Sequence, residues 1–343
     1  MTTRDPTDGT TGGAGSTAVA GPPPGEGGRT PRRRFLRTAV LGTAVAAAVI
    51  AAVVAVPRCC DAGAGVRETY APLVYLASGD PYRPMSAETF VNRSRLRWSH
   101  DGCPDDQVAA AGAVDAARLG SGGYSHRMKN VLCVHTGATY RSNARTRPYD
   151  LVSDANEGFL LDLDNAARPG STGAASVYVD YVAGDHLTYW FLYGFSDAPA
   201  AFDVVNVFDH EGDWERLAVR LDSSDRPVTV AYFQHNGHCV LPWSAAPKSG
   251  THPVVYSARG THASYATAGA HPIPVPVYPD PDDVTDRGVT WSTWDVLLPV
   301  RDQPWYGYGG AWGQVGSSRY ATGPLGPSAF KSPVPSSWTS PPC

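Results

Sequence analysis

The sequence predicts an all-β chain: an antiparallel β-sandwich with a few short helices, preceded by a disordered tail and one N-terminal hydrophobic segment. Three observations point there. Helical periodicity is scarce, and short apolar runs recur between Gly, Pro, Asn and Asp. The stretch "HNGH" (235–238) sets Asn-Gly between two such runs, the strongest short hairpin signal. Many short strands with turn punctuation favour a sandwich.

In chain order, residues 1–30 are mostly Gly, Pro, Thr and Ser, which cannot bury enough apolar surface to fold and so predict a disordered tail. Residues 31–58 predict an export segment. "RRRFLR" (32–37) precedes an Ala/Val-rich run of 18 residues, Ala39 to Val56, within the ~17–25 needed to span a bilayer. Arg32, Arg33, Phe35, Leu36 and Arg37 resemble a twin-arginine signal. A plain single-pass anchor is the other reading. Both leave the N-terminus inside, because Arg29, Arg32, Arg33, Arg34 and Arg37 precede the run and only Arg58 closely follows it. Both place the chain beyond about residue 60 outside the cytoplasm. "AGA" (62–64) offers a cleavage site, so membrane-anchored and secreted forms stay open. Residues 59–68 form a linker, 69–330 the β-sandwich domain and 331–343 a C-terminal tail, with no repeat and no second boundary.

Within the domain, the expected strands are Pro72–Leu76, Ser176–Tyr181, Leu187–Phe195, Glu215–Leu221, Val228–His235, Cys239–Leu241 and Pro253–Ser257. The best helix pattern is "DDQVAAAGAVDAARLG" (105–120), with Asp105 or Asp106 as N-cap and Gly120 as C-cap. Of 28 basic residues 7 precede Asp61, and of 32 acidic residues 3 do, so the exported part holds 21 basic against 29 acidic side chains. That balance argues against nucleic acid as a partner. Cys103, Cys133, Cys239 and Cys343 form an even set in an oxidising space without CxxC spacing, which favours disulfides over zinc. Proximity in sequence pairs Cys103 with Cys133 and Cys239 with Cys343.

The stretch "DHEGDWERLAVRL" (209–221) carries the chemistry. Five acidic or imidazole side chains fall within seven residues, then a strand follows. Strand alternation puts Asp213, Glu215, Leu217, Val219 and Leu221 on one face, apolar along its length and acidic at its beginning. The Cβ atoms of Asp213 and Glu215 should lie roughly 7 Å apart, near enough to share one ion. Asp209 and His210 precede them in the turn. Carboxylates this close raise each other's pKa unless a cation intervenes. A hard divalent cation, Mg²⁺ or Ca²⁺, answers that demand. An ion-paired turn using Arg216, Arg220 or Arg259 answers it without metal.

Separated motifs resemble the vacuolar protein sorting-associated protein 62 family. They are "YAPLVYLASGDPYRP" (70–84), "YWFLYGF" (189–195), "HEGDWE" (210–215), "YSARGTHASY" (256–265) and "WYGYGGAWG" (305–313), in that family's order over about residues 69–330. More distantly, "YWFLYGFSD" (189–197) followed by "DHEGDWE" (209–215) is similar to the necrosis- and ethylene-inducing peptide-like proteins, whose signature is Gly-His-Arg-His-Asp-Trp-Glu. That resemblance implies a β-sandwich with a divalent cation beside a sphingolipid-glycan surface. It implies Asp197, His210, Asp213 and Glu215 as the cation ligands, with Asp203 competing for the place of Asp197. Asp209, Glu211 and Gly212 depart from the signature, so toxicity is not implied.

Residues and resemblance together imply an exported binding module, tethered to the membrane by its N-terminal segment or secreted, with a divalent-cation site and a glycan or lipid headgroup as ligand. The alternatives are a metal-assisted hydrolase with Glu211 or His210 as base and a structural domain whose acidic site only stabilises. A metal pair of His235 and His238 with His262, and a Ser257–His262–Asp286 triad, are weaker patterns; no G-x-S-x-G surrounds Ser257. Trp291, Trp294 and the aromatics of "WYGYGGAWG" are expected in the core.

Overall fold

The computed structural model describes residues 63–149, 156–198, 208–273, 282–330 and 332–343. Every helix and strand of the described residues falls within the unit Arg58–Cys343. The expected tail (1–30), the export segment (31–58) and Asp203 lie outside the described residues. Among the described residues no helix is long and apolar enough to cross a membrane.

Helix α1 (Ala64–Thr69) leads into β1 (Leu73–Leu76). Helix α2 (Ala87–Arg93), capped by the Ser86 hydroxyl, runs into β2 (Ser94–His100), which turns back as β3 (Cys103–Ala109). A five-residue helix, α3 (Ala116–Gly120), precedes the hairpin of β4 (Ser125–Lys129) and β5 (His135–Arg141). Next come β6 (Gly158–Leu163), then the meander β7 (Val177–Val182), β8 (His186–Ser196), β9 (His210–Leu221), β10 (Pro227–Gln234) and β11 (Gly237–Pro242). Short strands finish the domain: β12 (Lys248–Ser249), β13 (His252–Ser257), β14 (Ser264–Tyr265), β15 (Gly269–Pro272), β16 (Asp282–Thr285), β17 (Val289–Ser292) and β18 (Leu297–Pro299).

A six-stranded sheet, β11-β10-β9-β8-β7-β18, is the backbone of the fold. One face packs on the sheet β12-β13-β1-β17 through Tyr189, Phe191, Leu217, Val219, Val74, Val255 and Trp291. The other packs on α2 and the sheet β3-β2-β6 through Trp190, Leu192, Trp214, Phe90, Trp98 and Leu161. The apolar run of β8 thus sends successive side chains to two cores, as expected of a strand covered on both faces. The class is all-β. Pairing is mostly antiparallel, with parallel pairs β1–β13 and β7–β18.

Each of the seven expected strands lies within or overlaps an observed one, and "HNGH" turns β10 into β11. The expected helix 105–120 is corrected. Its first half is β3, paired with β2; Gly112 breaks the backbone at φ +75°, and Asp115 instead caps α3 by accepting from the Arg118 amide. Cross-strand pairing outweighs the local helical pattern. Among the described residues the disulfides are Cys103–Cys133 and Cys239–Cys343. The second ties the C-terminus to β11, where the Val240 amide also donates to the Pro341 carbonyl.

The "WYGYGGAWG" aromatics belong to the core: Trp305, Tyr308 and Trp312 are buried. Trp312 meets Trp214 edge-on at 5.1 Å and Trp305 at 5.2 Å, pairs worth about 0.5–1.5 kcal/mol each beyond the area they bury.

Candidate functional site

β9 begins at His210, so the acidic stretch is itself strand rather than the turn before one. Its carboxylates have different partners. Gly212 sits at φ +65°, where a Cβ would clash with the Trp312 carbonyl, so glycine is required. Just before that kink Glu211 accepts from the Leu163 amide at 2.9 Å and from Arg168 Nη2 at 2.9 Å, toward the β6 side. Burial pushes its carboxyl up to about 7 despite those donors.

Asp213 faces His262. The His262 Nδ1–H donates to Asp213 Oδ2 at 2.9 Å, and its Nε2 lies 3.5 Å from Asp80 Oδ2, an ion-pair contact on the ring's other side. The ring is 1% exposed and lies flat on Tyr193, with centroids 3.8 Å apart and 5° between planes. Burial opposes charge on this imidazole, but Asp213 and Asp80 outweigh it and push its pKa up to about 9. Asp80 is buried too, yet His262 and the Gly260 and Tyr82 amides hold its carboxyl below the usual range. At neutral pH an imidazolium therefore lies between two carboxylates.

The loop 258–263, between β13 and β14, makes this arrangement. Gly260 (φ +79°) donates its amide to Asp80 Oδ2 at 3.0 Å, while its carbonyl accepts the Asp197 amide at 2.9 Å. His262 itself adopts φ +55°, a conformation costing a β-carbon residue about 1–3 kcal/mol unless its surroundings hold it there. Motifs far apart in sequence thus meet at one place: Asp80, Tyr193 with Asp197, Asp213, and Gly260 with His262.

Around this centre lie further titratable groups. Burial, then the charge of Asp213, push the Glu215 carboxyl well above its usual range. Asp283 accepts from His235 Nε2 at 2.8 Å, Tyr265 Oη at 2.7 Å and Thr261 Oγ1 at 2.6 Å. His210 donates from Nδ1 to the Gly212 carbonyl at 2.8 Å, and burial lowers its pKa. It is a neutral imidazole whose remaining nitrogen, Nε2, keeps its lone pair. His210, Asp213 and Glu215 line one cleft of about 1640 Å³, together with Arg147, Tyr265 and Arg319.

The arginine-paired turn is not what forms. The Arg216 guanidinium lies over Phe233 at 3.9 Å, Phe330 at 4.9 Å and Trp190 at 5.0 Å, and the cation serving Asp213 is His262. Nor does the triad form: Ser257 Oγ meets Tyr193 Oη and the His262 carbonyl, and Asp286 accepts the Ser78 amide. The three-histidine idea dissolves likewise, with His235 on Asp283, His238 on the Ser337 carbonyl and His262 on Asp213. His262 as the charge partner of both Asp213 and Asp80 was not expected. The only signal was the position of "GDPYRP" and "GTHASY" within the family-like motifs.

A second cluster was also unforeseen. Among the described residues, one group of three histidine or acidic side chains has its ligand atoms all within 4.8 Å of one another: Asp106, His126 and His135. A candidate metal-binding group therefore exists, on other residues than those expected. No sequence signal marked it, because Asp106 read as a helix cap.

No family model matches the chain. The chain is similar to vacuolar protein sorting-associated protein 62 of Saccharomyces cerevisiae. The two are 26% identical over 280 residues, 71% of this chain and 57% of the yeast protein. The yeast protein TDA6 is 26% identical over 215 residues, 45% of this chain and 43% of its own length. The chain thus spans about half the length of these relatives. The likeness expected from separated motifs is found. Among solved structures, NLPPya in complex with glucosamine covers 72% of this chain and 78% of its own at 11% identity, with a TM-score of 0.33, too low to carry residues across.

Proposed function

We propose that this chain is an exported β-sandwich binding module whose cleft holds a divalent cation, Mg²⁺ or Ca²⁺, and with it a polar ligand, a glycan or lipid headgroup. Asp197, His210, Asp213 and Glu215 are the ligands in this reading. The observation that carries it is the shared cleft: His210, Asp213 and Glu215 are all among its lining residues, and His210 is held by its Nδ1–Gly212 bond with Nε2 left to coordinate. Glu215 adds a buried carboxyl that a cation would allow to ionise. The two disulfides fit an oxidising, extracytoplasmic location. Membrane tethering rests on the segment Arg32–Val56 alone.

The adjoining concavity favours ligand binding over a purely stabilising site. The hydrolase reading loses one of its bases, since Glu211 is bound to Leu163 and Arg168. A cation that binds only the folded chain stabilises it by about 2.7 kcal/mol at one hundred times its dissociation constant. Melting in millimolar Ca²⁺ or Mg²⁺ is therefore expected above melting in chelator, and Asp213→Asn with Glu215→Gln is expected to remove the difference. Equal melting of the unaltered chain in both conditions would overturn the reading.

A further inference from the structure

The Cys103–Cys133 disulfide fastens the turn of the hairpin β4–β5 to the start of β3. His126 comes from β4, His135 from β5 and Asp106 from β3. Both imidazoles approach the same oxygen: His126 Nε2 is 3.4 Å and His135 Nε2 3.1 Å from Asp106 Oδ2. The rings stand 4.9 Å apart at 74°.

His126 is the informative member. Its ring stacks on buried Trp98, with centroids 5.1 Å apart and 13° between planes. Its Nδ1 is 2.9 Å from the Arg127 carbonyl, which can only accept, so Nδ1 bears the proton. In that tautomer Nε2 carries the lone pair and faces Asp106 Oδ2. Lys129 Nζ already gives that oxygen a positive partner at 2.8 Å; a metal ion would join it to Nε2. Fixing one ring nitrogen by a backbone carbonyl so that the other is free is the usual preparation of a metal-binding histidine.

We propose that Asp106, His126 and His135 form a site for a first-row transition-metal ion of the zinc class, separate from the cation site on β9. Two of three donors are imidazole nitrogens, which suit Zn²⁺, Co²⁺, Ni²⁺ or Cu²⁺ and not Ca²⁺ or Mg²⁺. Three protein ligands leave a fourth tetrahedral position for water or another small donor. Lys129 Nζ, 2.8 Å from Asp106 Oδ2 and 2.8 Å from the Pro104 carbonyl, competes for the carboxylate and holds affinity down. The hairpin is anchored beneath the site as well: Glu157 accepts the Lys129 amide at 2.9 Å and the Trp98 indole N–H at 2.8 Å.

The test uses the purified full chain with its disulfides intact, stripped with chelator and titrated with Co²⁺, then Zn²⁺. One Co²⁺ per chain should give visible ligand-field bands that Zn²⁺ abolishes. His135→Ala, at an exposed position, and His126→Phe, which keeps a ring on Trp98, should each weaken Co²⁺ binding by about tenfold or more, the scale even outer-shell partners of metal ligands command. Lys129→Met should tighten it. Asp213→Asn with Glu215→Gln should leave it unchanged, which separates this site from the one on β9. Absence of Co²⁺ bands in the unaltered chain, affinity in His135→Ala and His126→Phe as high as in the unaltered chain, or loss only in the Asp213/Glu215 variant would each overturn the proposal.

Discussion

Around His262, two carboxylates buried in the domain share one imidazole; around Asp106, one carboxylate at the surface gathers two imidazoles and an ammonium. The first cluster joins residues 80, 213 and 262, from three separate parts of the chain, and the ring is 1% exposed. The second draws on one hairpin and its neighbour, and the side chains of Asp106 and His135 are 34% and 44% exposed. Buried charge must be compensated by a fixed partner, so the first cluster is bound to the tertiary fold. Water and salt reach the Asp106 carboxylate and His135 of the second, which gives their ion pairs little part in stability and leaves them free for another task.

The sharpest way to break this contrast is to remove the two histidines in turn. His262→Ala leaves Asp80 and Asp213 buried without their cation and should cost about 3–5 kcal/mol in urea denaturation. His126→Phe, which retains the ring on Trp98, should cost about 1 kcal/mol or less. Similar losses would mean that burial does not separate the clusters.

Proton linkage gives the next largest effect. In chelator, His262 should contribute its full stabilisation below the unfolded histidine pKa of about 6.5 and lose it as pH rises through its folded value of about 9. Asp213 and Asp80 face the ring and set that shift; Glu215, also raised, pulls stability the same way as pH climbs. Stability should therefore fall by roughly 3 kcal/mol between pH 6.5 and 9, an order-of-magnitude figure at 1.36 kcal/mol per unit. His262→Ala should show a much flatter profile across that window. Parallel profiles would place the titration elsewhere.

What could be read from the sequence divides along the same line. Strands with strong patterns were legible: the two-faced run of β8, the Asn-Gly turn after β10 and the alternation Leu217, Val219, Leu221 all lie where expected. The acidic start of β9 was legible as a demand for positive charge. The group that meets it was not, because His262 lies 49 residues away in a loop shaped by two left-handed residues. Local spacing carries no information about such a partner. β2 does alternate, with Leu96 and Trp98 buried and Arg95 exposed, but its short, charged pattern was not among the expected strands. Missing it let β3 pass for a helix and hid Asp106 from its histidines.

Backbone fit gives a smaller, local effect. Gly212 holds φ +65° under the Trp312 carbonyl, so Gly212→Ala should destabilise by about 1–3 kcal/mol in urea denaturation. It should also disturb the His262 side chain, which bonds the neighbouring Asp213, while leaving the His126 ring resonances in place. Movement of both histidines in NMR spectra would show that the clusters are coupled through the central sheet.

The smallest effect belongs to Asp106. Asparagine keeps a side-chain oxygen for Lys129 Nζ, so Asp106→Asn removes charge without orphaning that buried ammonium. The carboxylate is one-third exposed, so its ion pairs are worth less than about 1 kcal/mol. Despite some burial, Lys129, His126 and His135 hold the Asp106 carboxyl below its usual range. Its contribution is then present above the unfolded pKa of about 3.9 and fades as pH falls through the folded value. The unaltered chain and Asp106→Asn should differ slightly at pH 7, converge in acid, and converge again in about 1 M salt, where charges are screened beyond roughly 3 Å. A loss of several kcal/mol that survives high salt would put Asp106 in the class of His262, and the distinction between a charge that holds the fold and a charge that waits for a ligand would fail.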